Sequence, residues 1–169
     1  MRRVVSFLFD LLEVYLAVGV FAALIVTVAA EVFFRYVLNN PRGELFELSV
    51  YCFVWVIYLG GALATRYNQH VRFDLIYTRL PHKARRVLDI VFDLLTNGVL
   101  LVLFFPAVRY TIDMYKIKAS ALRVPWTFLL IVFPIFIALV LIHNFTNLVK
   151  NVLRLGGREI KDAEVFPWQ

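Results

Sequence analysis

The chain has 169 residues, 62% of them hydrophobic, with a formal net charge of +6. Soluble domains are about 45–50% apolar, so this excess, with a mean hydropathy of +0.77, excludes an ordinary water-soluble globule. The positive balance does not point to nucleic acid, because Lys and Arg flank apolar stretches and form no separate basic-aromatic surface.

The first segment, Arg2–Glu13, is amphipathic: Val4, Val5, Phe7, Leu8, Leu11 and Leu12 offer apolar contact, and Arg2, Arg3, Asp10 and Glu13 are expected to stay in water. Such a segment lies along a membrane interface. Four apolar stretches follow, at Val14–Phe34, Leu48–Thr65, Val87–Val108 and Thr127–Val149. Each is apolar all round and long enough to cross a hydrocarbon core of about 30 Å as a helix. Helices satisfy every backbone polar group internally, which lipid demands. The predicted fold is therefore an all-α membrane protein, a single domain over residues 1–169 with four transmembrane helices and an interfacial N-terminal segment. Val28-Ala29-Ala30 resembles a signal cleavage site, but the apolar run before it exceeds the usual 7–15 residues, so the first span is expected to be retained.

Glu31 and Arg35 stand four apart near the end of the first span, where they can pair along one helix face. The second span carries Cys52, read as a small apolar filler, and small residues at four-residue spacing, Gly60 with Ala64 and Gly61 with Thr65. That spacing lets helix backbones approach closely. In the next loop lie His70 and Asp74, and Pro81 opens a helix near His82. Arg85, Asp89, Asp93 and Asn97 form an i, i+4 stripe on that helix. It reads either as a seam to another helix or as an ion pathway. Pro106 and Pro134 fall inside spans and are expected to kink them. Tyr110, Tyr115 and Trp126 suit headgroup depth, and Pro125 opens the fourth helix.

Twelve of the 18 basic residues lie in the N-terminal segment, the loop between spans two and three, and the C-terminal tail. The positive-inside rule places these, and both termini, in the cytoplasm.

No nucleophile elbow, phosphate loop or metal-ligand spacing occurs in the sequence. No catalytic residue, cofactor or metal is assigned, and the chain is not read as an enzyme. His70, His82 and His143 raise a haem-bearing membrane anchor as one alternative, which needs ligands projecting inward from facing helices. A self-sufficient homodimeric transporter built on Glu31 or Asp93, and a purely structural assembly factor, are others.

Ordered fragments then narrow the reading. They are Glu31-Val32-Phe33-Phe34-Arg35-Tyr36, Pro41, Glu47-Leu48 with Tyr51, Trp55, Leu59-Gly60-Gly61-Ala62, His70-Val71, Asp74, Leu80-Pro81, Ser120-Ala121-Leu122-Arg123-Val124-Pro125-Trp126 and Pro134. In this order and on these helices, the chain resembles the small membrane subunit (Q subunit, small permease) of tripartite ATP-independent periplasmic (TRAP) transporters. It departs from the pattern at Glu44, Phe46 and Val50, where a tryptophan, a glutamate and an arginine are common. The resemblance implies a small non-catalytic subunit in a bacterial inner membrane. Its partners would be a large permease subunit, a periplasmic substrate-binding protein and membrane lipids. The system would take up an organic acid anion, driven by a sodium gradient. Glu31, Arg35, Glu47, Tyr51, Trp55, Gly60, Gly61, His70, Asp74, Asp89, Asp93, Pro125 and Trp126 are the candidates for structure or partner contact.

Overall fold

The computed structural model describes residues 10–67 and 82–155. A π-helical turn, Leu11–Tyr15, leads into α1 (Leu16–Tyr36). Then come α2 (Gly43–Arg66), α3 (His82–Asp113) with a 3-10 turn at Met114–Lys116, the short α4 (Thr127–Leu130) and α5 (Val132–Leu155). No strand is present among the described residues, where the sole extended pairing is the bridge between Lys118 and Pro125. Four helical spans, Leu11–Tyr36, Gly43–Arg66, Ile90–Lys116 and Thr127–Val149, have mean hydropathies of 1.8 to 2.6 and are long enough to cross a membrane. The helices run past the predicted stretches. A helix continues through Glu44 and Glu47 or through Arg109 and Asp113 as readily as through leucine, because propensity is nearly flat among these residues. The apolar run marks lipid, not the helix end.

The boundary between α4 and α5 has a sequence cause. Pro134 has no N–H to give to the carbonyl of Leu130, and its ring crowds that carbonyl. The ladder loses that one bond, while Ile131 keeps a helical backbone (φ −61°, ψ −26°) and its N–H still donates to Thr127 O at 2.8 Å. Pro106 sits inside continuous α-helix.

The chain divides into two compact units, one drawn from residues Met1–Leu63 and Ala107–Phe136, the other from Ala64–Pro106 and Ile137–Gln169. In the first, Leu59, Ala62, Ala119, Leu129 and Val132 are buried. Tyr58 stacks at a tilt on Phe133 and Phe136, with centroids 5.4 and 5.3 Å apart. In the second, Ile137, Leu139 and Val140 are buried beside polar Thr65, Asn97, His143 and Asn144.

One sequence expectation is overturned. Glu13 does not stay in water: it is fully buried, at 0% exposure, while its neighbours Leu11 and Leu12 are exposed. It is not without a partner. The amphipathic turn faces outward with its apolar side, as it must where the surroundings are hydrocarbon. The rest of Arg2–Glu13 up to residue 9, and the loop bearing His70 and Asp74, lie outside the described residues.

Candidate functional site: a carboxylate-clamped hairpin

The most elaborate polar construction in the first unit begins as a backbone problem. Between α3 and α4 the chain reverses in a tight ribbon. Ala119 N–H donates to Val124 O at 2.9 Å, Arg123 N–H to Ala119 O at 3.1 Å, and Trp126 N–H to Ile117 O at 3.0 Å. The reversal requires Arg123 to adopt a left-handed backbone, φ 55°, a conformation uncommon outside glycine, asparagine and aspartate. At the tip the amides of Ala121 and Leu122 have no carbonyl opposite them, and buried amides must be paired. Glu47, in the first turns of α2, supplies the acceptor. Its Oε2 accepts from Leu122 N–H at 2.7 Å and from Ala121 N–H at 3.0 Å, and its Oε1 also lies 3.0 Å from Ala121 N. A carboxylate accepting backbone N–H groups makes charge-assisted bonds, roughly twice as strong as neutral ones.

Glycine lets α2 come this close. A Cβ on Gly43 would stand 3.3 Å from the Cβ of Ala121. Two further ties secure the same region. Thr127 Oγ1 donates to Thr111 O at 2.8 Å, covering one of the last carbonyls of α3. Trp55 Nε1 donates to Phe128 O at 2.9 Å, in α4. Tyr51 follows Glu47 by one helical turn, and its hydroxyl is buried with no hydrogen-bond partner among the described residues.

The structure thus joins Glu47 to the Ser120–Trp126 segment that carries Pro125 and Trp126, and Trp55 to Phe128 just beyond it. Pro125 lies in the bridge opposite Lys118. The other candidates lie elsewhere. Glu31 and Arg35 form their i, i+4 ion pair on α1, with Arg35 half exposed and Glu31 largely covered. The two glycines of α2 divide: a Cβ on Gly61 would meet Phe136 Cε2 at 3.2 Å, whereas Gly60 is exposed with nothing within 4 Å. Asp93 is half-buried in the second unit and has a partner. The side chain of Asp89, and His70 and Asp74, lie outside the described residues. His143 is buried, its carbonyl accepting from Thr146 Oγ1 at 2.7 Å. Among the described residues no grouping of His, Cys, Asp and Glu could hold a metal ion.

Sequence reasoning missed the Thr111–Thr127 tie, the two tip amides and the role of Gly43. A glycine opening a helix that carries a glutamate one turn later was the available signal. The clamp's chemistry is mechanical: the carboxylate is engaged by amides, and the geometry fixes a reversal between two spans.

These features define a multi-pass α-helical membrane protein in which Glu47 engages the amides of a hairpin between two spans. Residues 24–154 match the family model described as tripartite ATP-independent periplasmic transporters, DctQ component, and the chain belongs to that family. It is 30% identical over 95 residues to a TRAP transporter small permease protein of Haemophilus influenzae, covering 56% of this chain and 58% of that protein. It is 32% identical over 102 residues to the ectoine TRAP transporter small permease protein TeaB of Halomonas elongata, covering 60% of this chain and 52% of the relative. The matched region thus spans little more than half the length of these relatives.

Proposed function

We propose that this chain is a non-catalytic small subunit that binds and supports a large permease in the membrane. The pair takes up an organic acid anion, driven by a sodium gradient and delivered by a periplasmic binding protein. Family membership across residues 24–154 is the observation that carries this reading. Burial adds support. Only 6% of the apolar windows of the first and third spans is buried within the chain, against 28% and 44% for the second and fourth. Two spans therefore offer apolar flanks to lipid and to a partner, and van der Waals packing drives helix association in membranes. Among the described residues there is no pair of Gly/Pro-broken helices in matching halves, the usual mark of a transport site. In this account the termini are cytoplasmic and the hairpin lies on the outer side.

Co-expression with a large permease of the same family tests the pairing. The complex should survive detergent extraction and size exclusion as one species. Separate elution of the two chains under conditions that keep both folded would contradict it.

A further inference from the structure

We propose that the Lys116–Trp126 hairpin is a binding site for the headgroup of an anionic phospholipid. This goes beyond the transport reading and rests only on the chain being embedded in a membrane.

The ribbon has two unlike faces. Beyond the 3-10 turn that ends at Lys116 the chain is extended at Ile117 (φ −99°, ψ 126°), which leads Lys118 into the bridge. Lys118 pairs with Pro125, and Arg123 lies two residues before Pro125 on the returning arm. The hydrogen bonds from Ala119 N–H to Val124 O and from Arg123 N–H to Ala119 O gather Lys118, Ser120 and Arg123 into one tight reversal, with Lys116 at its entry. These four residues are exposed, while Ala119, between Lys118 and Ser120, is buried. None of the three cations forms an ion pair among the described residues. Their backbone is held by the ribbon's own hydrogen bonds and by the Glu47 clamp, so the donors are positioned in advance.

Depth selects the ligand. Lys116 ends the third span and Thr127 begins the fourth. The ribbon therefore lies at the rim of the hydrocarbon. Tyr110, Tyr115 and Trp126 are exposed around it, the aromatic residues that sit at headgroup level. Exposed Ile117 and Phe128 give acyl chains something to touch. A lipid phosphate meets the cations at this height. The charge balance agrees: residues 109–126 carry four basic residues and one acidic residue, Asp113, a net of +3 that Glu47 lowers to +2. An acidic soluble protein would be served by the charges but not by the ring of apolar and aromatic side chains at their base.

The test uses the full chain in nanodiscs of phosphatidylcholine with and without phosphatidylglycerol. Native mass spectrometry after release counts retained lipids. Wild type should retain phosphatidylglycerol in preference to phosphatidylcholine. Each Lys or Arg removed should lower that preference by about fivefold. The triple variant Lys116→Gln, Lys118→Gln, Arg123→Asn should lose it, asparagine being chosen because it tolerates the left-handed backbone. The pair Lys116→Arg, Lys118→Arg should keep it, and serves if the triple variant fails to fold. A folded triple variant with undiminished preference would overturn the proposal, as would loss of preference in the arginine pair. Displacement of the lipid by millimolar inorganic phosphate would overturn it in favour of a free-anion site. Unchanged lipid retention, with loss of capture of a purified acidic binding protein, would overturn it in favour of a protein dock.

Discussion

At the scale of single residues, Glu47 carries the most specific expectation. Glu47→Gln keeps the shape but removes the charge and leaves a single carbonyl oxygen to accept from both amides. Glu47→Asp is one methylene too short to reach them. In both variants the Ala121 and Leu122 amides should exchange with solvent faster, measured by hydrogen–deuterium exchange, while amides in α5 stay protected. Unchanged protection at the tip would remove the clamp from the account. Glu31 and Arg35 are expected to behave as a structural pair. Losing one partner should cost between the ~0.2–1 kcal/mol of an exposed pair and the ~3–5 kcal/mol of a buried one, because Glu31 is covered and Arg35 half exposed. Arg35→Ala should lower stability, and Glu31→Gln with Arg35→Gln should recover part of it. A Glu31→Gln variant that folds and assembles normally yet abolishes uptake would instead make the carboxylate a relay. Asn97 gives a prediction of opposite sign. It is 8% exposed, and neither its Nδ2 nor its Oδ1 has a partner among the described residues. An unpaired buried amide costs about 1–3 kcal/mol, so Asn97→Leu should raise the thermal midpoint. A fall would mean that the amide is satisfied.

At the scale of elements, the two adjacent glycines of α2 separate packing from exposure. Gly61→Val should destabilise the chain, because Phe136 already lies 3.2 Å from where a Cβ would stand. Gly60→Val meets nothing within the chain, so its effect on the isolated protein should stay within about 0.5 kcal/mol, as for most surface changes. Equal losses in both, read from thermal unfolding in the same detergent, would show that the small-residue stripe acts as one surface. The sequence could not make this division, since four-residue spacing marks a close approach without saying which face makes it. The spans themselves were legible, because an all-round apolar run has few soluble explanations. The hairpin clamp was half legible. Glu47, Trp55, Pro125 and Trp126 stood out as family fragments. That Glu47 reaches amides 74 and 75 residues away depends on a backbone reversal whose left-handed residue, Arg123, has no glycine to announce it.

At the scale of the whole molecule, polarity runs opposite to that of a soluble protein. Buried side chains include Glu13, Thr27, Ser49, Thr65, Asn97, Thr111, His143 and Asn144, while Phe, Leu, Ile and Val crowd the surface. That inversion explains the one overturned expectation: amphipathic logic taken from water put Glu13 outside, and the bilayer puts it inside. It also frames the proposed role, a membrane-embedded support whose polar effort goes into fixing its own shape. The most direct test of that role is uptake into proteoliposomes under an imposed sodium gradient, with the cognate binding protein and substrate supplied. Vesicles with both membrane subunits should accumulate the organic acid, and vesicles with this chain alone should not. Sodium-dependent uptake by this chain alone would contradict the account.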